Sequence, residues 1–503
     1  MLTVLGIDLG TQSLKVVAYD FESKRVAATA SAALDLDQDA TGKAEQDPAS
    51  WLDALGGALS QIPREVRESI QAIGVSGQQH GLVALGLDGE PLRAAKLWCD
   101  TTTQDETDEI ISAVGGRERC IAISGNALVT GFTAPKILWL RRHEPANYDA
   151  MTDILLPHDF VNYALTGRKV MEYGDGSGTG LMDVRSRRWR RELLDAIDPG
   201  RDLGACLPPF IEAGEFIGDT TPEAAARFGV PAGVKVAVGG GDNMMGAIGT
   251  GNVVPGKLTM SLGTSGTLYA HSDRPVVDPS GNIAAFCGST GGWLPLVCTM
   301  NCTYATELMR RPLDVAVGDI DRTIASVPAG AEGLVALPFF NGERTPDLPR
   351  AKASYLGLDA SNCTKGHLLR ATVEGATFGL KFGIDELAGL GLKAQEIVLT
   401  GGGALSRVWR QIVADVTNLP VTVLRQNEGA GFGAALQALW TLERATGPDV
   451  GIADITAAHV ERDESKTALP DGRNVEAYRN AYAGYRRVLS RIIPLYATNE
   501  TNE

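Results

Sequence analysis

The residues best suited to chemistry lie at the centre of the chain, where an apolar strand ends in glycines. Residues 234–238 alternate as a buried strand does, glycines fill positions 239–241, and Asp242 follows them. The glycines remove side chains from the end of the strand, so a ligand can approach the backbone beside the Asp242 carboxylate. A carboxylate in this position is available for catalysis. A structural alternative is that Asp242 caps a helix that follows the glycines.

Two features of this kind occur twice in the chain. A second apolar run, residues 396–400, also leads into three glycines, at positions 401–403. The tripeptide Leu-Gly-Thr occurs at residues 9–11 and again at residues 262–264, each time directly after a strand-like run. Matched turns in the two halves predict a duplicated domain.

The length of the chain also favours two domains, since 503 residues exceed what one hydrophobic core usually supports. We place the division between residues 1–248 and residues 249–503. The net charge of -15 argues against a nucleic acid or an anionic membrane as partner. It does not exclude an anionic ligand, because backbone amides or a metal ion can reverse the local field.

The cysteines indicate neither a disulfide framework nor a zinc site. Their number, seven, is odd, and no two of them form a Cys-x-x-Cys pair. Reduced thiols, together with the lack of a signal-like or membrane-length apolar stretch, predict a cytoplasmic location.

The first turn of the chain has the chemistry of a phosphate and magnesium site. An antiparallel meander is predicted for three short strands, at residues 4–9, 15–20 and 25–30. The hydroxyl groups of Thr11 and Ser13, the Lys15 ammonium and the backbone N–H groups could bind phosphate oxygens. Asp8 could hold Mg²⁺ through water. The alternative is an ordinary hairpin turn.

A second turn, at residues 76–81, offers amides and an imidazole to a ligand. It reads Ser-Gly-Gln-Gln-His-Gly and follows a strand predicted at residues 70–75. Such groups suit hydroxyl groups, which need paired donors and acceptors when water is removed. Trp98 and Asp100 could frame the same ligand. The alternatives are that His80 is a surface residue and that Trp98 belongs to the core.

Four further segments have patterns that predict local structure. Residues 131–140, with Pro135 near the start, indicate a packed helix. Glycine at alternate positions within residues 173–180 indicates a loop that covers another part of the molecule. Residues 429–434 fit the G-x-G-x-x-A pattern of dinucleotide sites, but no strand with an acidic end follows at the required distance. Residues 474–493 form an amphipathic helix that Pro494 is expected to end.

Two longer patterns give the chain a family resemblance. The first is Gly-x-Thr-x-x-Lys-Ile-x-Trp-Leu-x-Arg-His at residues 131–143, and the second spans residues 353–374. Together with the turns above, they make the chain resemble the FGGY carbohydrate kinases over nearly its whole length. The resemblance implies an α/β fold of two ribonuclease H-like domains, as in actin, hexokinase and Hsp70, with a ligand cleft between them. It also implies that residues 1–248 bind the sugar and residues 249–503 the nucleotide.

The resemblance further implies roles for individual residues. Asp242 corresponds to the catalytic base, and Asp8 to a carboxylate tied to Mg²⁺ and activity. The sugar-contacting positions are Gln79, His80, Asp242 and Asn243. ATP is expected to bind at the second Leu-Gly-Thr turn, through Gly263 and Thr264. It is also expected to contact the later glycines, Gly401, Gly402 and Gly403, and to lie near Ser406.

The turn at residues 76–81 distinguishes the members of this family. Members that phosphorylate D-xylulose typically read Ser-Gly-Gln-Met-His-Gly, so this chain matches them except at Gln79. The expected reaction is ATP-dependent phosphorylation of D-xylulose to D-xylulose 5-phosphate. The nearest alternative is another ketopentose, a polyol or a sugar acid as substrate, and a more distant one is an actin-like ATPase without a sugar substrate. The expected partners are the sugar and ATP, and a homodimer is considered as the oligomeric state.

Asp242 is expected to keep an ordinary pKa of about 4 and therefore to be a weak base. Phosphoryl transfer has a loose transition state, so this carboxylate needs mainly to orient the sugar hydroxyl and to accept its proton late. Most of the acceleration must then come from positioning the γ-phosphate and neutralising its oxygens with Mg²⁺ and turn amides.

Overall fold

The computed structural model describes residues 2–426, 428–447 and 449–497, which form two compact units. The first unit comprises the described residues of 1–254, 271–294 and 428–460, and the second comprises those of 255–270, 295–427 and 461–503. Residues 249–254 and two later segments therefore belong to the first unit. The division of the chain at residue 248 into a sugar-binding and a nucleotide-binding domain stays a prediction.

The strands of the first unit are β1 (Thr3–Leu9), β2 (Ser13–Asp20), β3 (Arg25–Ala33), β4 (Asp37–Gln38), β5 (Ala44–Gln46), β6 (Ile70–Gly77), β7 (Val83–Leu85), β8 (Ala95–Lys96), β9 (Asp153–Leu155), β10 (Met171–Glu172), β11 (Met182–Asp183), β12 (Arg188–Trp189), β13 (Phe210–Ile211), β14 (Phe216–Asp219), β15 (Lys235–Ala237) and β16 (Gly240–Gly241). Those of the second unit are β17 (Lys257–Leu262), β18 (Gly266–Ala270), β19 (Leu296–Thr299), β20 (Val335–Leu337), β21 (Ser354–Leu356), β22 (Glu396–Thr400) and β23 (Val421–Thr422).

The helices of the first unit are α1 (Pro48–Ser60), α2 (Arg64–Glu68), α3 (Gln104–Ala113), α4 (Arg117–Ser124), α5 (Thr133–His143), α6 (Pro145–Ala150), α7 (Pro157–Thr166), α8 (Tyr173–Gly176), α9 (Arg191–Ile197), α10 (Pro222–Phe228), α11 (Asp242–Gly249), α16 (Gly429–Thr446) and α17 (Ile452–His459). Those of the second unit are α12 (Thr303–Arg310), α13 (Ile320–Ala325), α14 (Lys365–Gly389), α15 (Arg407–Thr417) and α18 (Gly472–Ala497). Within the described ranges, no helix has the length and apolar character needed to cross a membrane.

The central sheet of the first unit has the strand order β14-β15-β6-β1-β2-β3. The predicted meander is confirmed, because β1 pairs with β2 and β2 with β3 in antiparallel fashion. Strand β6 joins the other edge of β1 in parallel, and β15 joins β6 in parallel. Buried residues run along almost all of β1, as is typical of a central strand covered on both faces.

The sheet of the second unit repeats this arrangement, with the order β19-β18-β17-β22-β23. Strands β17, β18 and β19 form the antiparallel meander, and β22 and β23 continue the sheet in parallel. Five strands therefore follow each other in the same order and directions in both units. The predicted duplication is confirmed, and both sheets have the strand order of a ribonuclease H-like fold.

The glycines of residues 429–434 serve close packing within the first unit. A Cβ atom at Gly6 of β1 would lie 1.8 Å from the carbonyl oxygen of Gly431. A Cβ atom at Gly433 would lie 1.7 Å from the carbonyl oxygen of Met245 in α11. Helix α16 thus approaches a strand and a helix at distances that only glycine at positions 6 and 433 permits.

Two local predictions are wrong. Residues 173–180 are not a loop, because Tyr173–Gly176 is helical and Ser177–Thr179 forms a 3₁₀ turn. The Glu172 carboxylate accepts hydrogen bonds from the N–H groups of Gly174 and Asp175 and so caps this short helix. Pro494 does not end α18, which continues to Ala497. The proline lies in the final turn. It lacks the N–H group that would bond to the preceding turn, but only three residues of the helix follow it.

Candidate active site

Asp242 is the first residue of α11 and directly follows the glycines of β16. Its carboxylate oxygen Oδ1 accepts hydrogen bonds from the backbone N–H of Asn243 at 2.8 Å and from Nδ2 of Asn243 at 2.9 Å. The preceding residue, Gly241, occupies the capping position. The structural alternative, in which Asp242 only caps this helix, is therefore wrong.

The environment of Asp242 makes it a stronger base than the sequence predicts. Burial is the largest cause, and the negative charges of Asp8 and Asp175 add to it, so the pKa of Asp242 is raised to about 7. Hydrogen bonds from Asn243 oppose the shift. The expected ordinary value of about 4 is wrong, because the sequence shows neither the burial nor the neighbouring carboxylates.

Asp8 lies near the end of β1 and is half-buried. Its carboxylate accepts a hydrogen bond from the Ser76 hydroxyl at 3.0 Å, and burial raises its pKa against the opposing effects of Ser76 and Lys15. Lys15 is directly opposite Asp8 in β2, and its ammonium forms an ion pair with the Glu428 carboxylate. The ammonium predicted to bind phosphate is thus already paired. The Ser13 side chain, also predicted to bind phosphate, is exposed at the start of β2.

The turn after β1 is held by a polar network. The Thr11 hydroxyl donates to Oε1 of Gln78 at 3.0 Å and accepts from Nε1 of Trp98 at 3.0 Å. Gln46 joins them, donating to the Thr11 carbonyl at 2.7 Å and accepting from Nε2 of Gln78 at 2.9 Å. Gln46 therefore holds the backbone of this turn, and Gln78 and Trp98 hold the Thr11 hydroxyl. Trp98 is half-buried, so part of its ring remains open to a ligand.

Gln79 and Asn243 bring the second turn to Asp242. Nδ2 of Asn243 donates to Oε1 of Gln79 at 3.0 Å as well as to Asp242, and Nε2 of Gln79 lies 3.4 Å from Sδ of Met244. A Cβ atom at Gly241 would lie 2.7 Å from Cγ of Gln79, so the glycine makes room for this side chain. Three of the residues predicted to contact the sugar are thus neighbours.

The His80 ring packs beside two phenylalanines and a buried carboxylate. Its centroid lies 4.9 Å from that of Phe132 and 5.6 Å from that of Phe286. Its Nδ1 atom lies 4.0 Å from Oδ1 of Asp175. With 12% of its side chain exposed, His80 is not the surface residue of the alternative interpretation.

Behind His80 lies a buried charged group that the sequence analysis did not identify. Nδ1 of His158 is 2.9 Å from Oδ2 of Asp175, and its Nε2 is 3.0 Å from Oδ1 of Asp159. All three side chains are fully buried. Burial lowers the pKa of His158, but the two carboxylates outweigh it and raise the pKa to about 9. Histidine next to aspartate at residues 158–159 was the only signal in the sequence.

Asp100 has its carboxylate occupied by groups of the protein. It accepts hydrogen bonds from the Ala44 N–H at 2.9 Å, from Nζ of Lys96 at 3.1 Å, and from the N–H and hydroxyl of Thr102. Burial opposes its ionisation, but these hydrogen bonds and the Lys96 charge hold its pKa below the usual range. This arrangement favours a structural role for Asp100 beside Trp98.

In the second unit, the other Leu-Gly-Thr turn lies against the later glycines. The Gly263 carbonyl accepts hydrogen bonds from the N–H of Thr303 at 2.9 Å and from its hydroxyl at 2.7 Å, and Thr264 is exposed. A Cβ atom at Gly401, whose φ is +82°, would lie 2.6 Å from the carbonyl oxygen of Leu262. The two glycine turns are thus packed together as one backbone surface.

Ser406 caps α15. Its hydroxyl accepts a hydrogen bond from the Trp409 N–H at 2.9 Å and donates to the Asp321 carboxylate. The Ser406 hydroxyl thus already donates one hydrogen bond and accepts another. These contacts do not favour the predicted contact of Ser406 with the nucleotide.

The sequence matches one family over both halves. The N-terminal domain of the FGGY family of carbohydrate kinases matches residues 3–249, and its C-terminal domain matches residues 258–442. The chain belongs to this family. The resemblance inferred from the two sequence patterns is confirmed, and the protein is a carbohydrate kinase.

Individual members of the family are similar to this kinase over nearly their full length. It is 43% identical to a xylulose kinase of Haemophilus influenzae over 97% of this chain and 99% of that protein. A xylulose kinase of Streptomyces coelicolor is 37% identical over 92% of this chain and 94% of that protein. Among solved structures, xylulose kinase from Rhodospirillum rubrum has a TM-score of 0.89 and 29% identity, covering 99% of this chain and 100% of that one.

Proposed function

We propose that this kinase transfers the γ-phosphoryl group of ATP to D-xylulose and forms D-xylulose 5-phosphate. The observation that carries the proposal is the cluster of Asp242, Asn243 and Gln79 beside the turn that presents His80. This cluster offers a base, amide donors and acceptors, and an imidazole to a ligand rich in hydroxyl groups. The similar proteins named xylulose kinase support D-xylulose as the substrate.

Asp242 has the properties of a general base in this reaction. A pKa of about 7 places its protonation equilibrium near neutral pH, where a base works best. Asn243 holds Oδ1 of the carboxylate with two hydrogen bonds, so the other oxygen is the one proposed to face the sugar hydroxyl. Asp242 orients this hydroxyl and accepts its proton as the bond to phosphorus forms.

The residues present fit a magnesium ion that enters with the nucleotide. Among the residues that the structure describes, no group of three or more His, Cys, Asp or Glu side chains could hold a metal ion. Mg²⁺ usually takes only one or two protein carboxylates together with water and phosphate oxygens, and Asp8 supplies such a carboxylate near Asp242. When bound, Mg²⁺ neutralises charge on the phosphate oxygens.

Gly263, Thr264 and the glycines at 401–403 are proposed to bind ATP. A Cβ atom at Gly402 would meet open space, and the backbone N–H groups of glycine turns suit phosphate oxygens. A homodimer and a cytoplasmic location stay predictions from the sequence.

Turnover of Mg·ATP with a panel of sugars tests the proposal. ADP release is measured with D-xylulose, D-ribulose, L-ribulose, L-xylulose, glycerol and gluconate, and without sugar. We expect the highest kcat/KM with D-xylulose and its near-complete loss in Asp242→Asn, while Asp39→Asn, which changes an exposed aspartate, behaves as the wild type. A higher kcat/KM with another sugar would reassign the substrate. Turnover that is the same without sugar would refute the kinase function.

A further inference from the structure

His80 has a backbone conformation that residues with a Cβ atom avoid. Its φ is +67°, in the left-handed region. A strained conformation of this kind persists only where surrounding contacts hold it. Because the conformation of this residue decides where the side chains of the turn point, the contacts that hold it matter for the ligand.

Two side chains of one helix hold the carbonyl oxygen of His80. Nζ of Lys136 donates to it at 2.7 Å, and the Thr133 hydroxyl donates to it at 3.1 Å. Both residues lie at the start of α5 and are three positions apart, so their side chains share one face of the helix. The carbonyl of a distant turn is therefore fixed by a rigid element.

Lys136 is fully buried, which is costly for an ammonium group. Burial lowers its pKa to about 7. Besides the His80 carbonyl, Nζ also donates to the Gly131 carbonyl at 2.7 Å. A Cβ atom at Gly131 would lie 2.6 Å from the carbonyl oxygen of Trp98, so this loop is itself fixed. If position 136 served only hydrophobic packing, an apolar residue there would stabilise the fold more than a lysine does.

We propose that Lys136 and Thr133 are positioning residues of the sugar-binding turn. By holding the His80 carbonyl, they stabilise the left-handed backbone that directs the His80 and Gln79 side chains to the sugar. Neither residue is assigned a contact with the reacting atoms. The proposal rests on the sugar-binding role of His80 in the proposed function.

The kinetics of Lys136→Met and Thr133→Val test this role. Methionine keeps the length of the lysine side chain and valine the shape of threonine, while both lose the donor to the His80 carbonyl. Because misplaced binding groups weaken the contacts to the substrate, we expect the KM for D-xylulose to rise by about tenfold in Lys136→Met and by less in Thr133→Val. The KM for ATP should stay within about twofold of the wild type.

A matched control and a double-mutant cycle separate positioning from general stability. Thr166→Val removes the hydroxyl of another helical threonine, which donates to the Asn162 carbonyl of its own helix and accepts from the Arg168 N–H, and should leave the KM for the sugar unchanged. Combined with His80→Ala, Lys136→Met should increase the KM by a smaller factor than it does in the wild type, because the part of its effect that acts through the His80 side chain is already lost. An equal increase in both backgrounds would overturn the proposal, as would an unchanged KM in both Lys136→Met and Thr133→Val.

A crystal structure of Thr133→Val or Lys136→Met tests the same point without relying on activity. We expect the backbone of His80 to leave the left-handed region or the turn to lose its order. A turn that keeps φ near that of the wild type in both variants would overturn the proposal. If the wild type phosphorylated no sugar, the proposed function would be refuted. The φ of His80 in the two variants would still show whether Lys136 and Thr133 hold the backbone of this turn.

Discussion

The pH dependence of kcat/KM for the sugar tests whether Asp242 is the general base. Burial, Asp8 and Asp175 raise the pKa of Asp242 to about 7. Only the ionised carboxylate can accept a proton, so activity is present above this pKa and is lost as the pH falls through it. About nine tenths of the enzyme would carry ionised Asp242 at pH 8 and about one tenth at pH 6. With an unshifted carboxyl, nearly all of it would be ionised at both values.

The assay is ADP release at limiting sugar, with coupling enzymes in excess at every pH. We expect kcat/KM to fall about tenfold from pH 8 to pH 6 with a slope that approaches one. In Asp8→Asn the residual activity should still fall as the pH is lowered. The fall should occur at a lower pH than in the wild type, because removing the neighbouring negative charge lowers the pKa of Asp242. A wild-type profile that is flat between pH 6 and pH 8 would refute the reasoning about the base.

Three further predictions concern single substitutions. At pH 8, Asp242→Asn should abolish turnover yet raise the melting temperature. The reason is that ionising a carboxyl whose pKa is raised in the folded state destabilises the fold, here by at most about 4 kcal/mol. The increase in melting temperature should be smaller at pH 5, where Asp242 in the folded protein is protonated. Gly433→Ala should lower the yield of soluble protein and its melting temperature, because its Cβ atom would lie 1.7 Å from the Met245 carbonyl oxygen, whereas Gly472→Ala, with open space around it, serves as control. Ser406→Ala should cost about 1 kcal/mol through loss of the helix cap and leave the KM for ATP within about twofold; a tenfold higher KM would instead support a nucleotide contact.

Local sequence patterns were sufficient to predict the elements that carry the site. Alternating apolar residues and short turns gave the meander of β1, β2 and β3, and proline near a helix start gave α5. The recurring turns predicted the duplication, because a turn between paired strands depends on a few adjacent residues. These features are encoded by neighbours in the chain, and the structure confirms them.

The electrostatics of the site could not be predicted in the same way. The pKa of Asp242 depends on burial and on Asp8 and Asp175, which are far from it in sequence. The pairing of His158 with Asp175 joins two segments, and the glycines of one of them predict a loop where the structure has a short helix. The pattern around Lys136 is that of an ordinary helix and predicts only packing for this residue. Charge and hydrogen-bond partners follow from tertiary contacts, which local periodicity does not specify.

In the proposed function, the two duplicated turns serve ligands of opposite charge. In β1 the residue before Leu-Gly-Thr is Asp8, whereas in β17 it is Ser261. The ammonium nearest to Asp8, that of Lys15, is already paired with Glu428, so the first turn keeps an acidic character that suits a cation. The second turn lacks this carboxylate and presents exposed Thr264 with backbone N–H groups, which suits the phosphate oxygens of a nucleotide. In the proposed function, the residue before Leu-Gly-Thr therefore distinguishes the turn that suits a cation from the turn that suits phosphate.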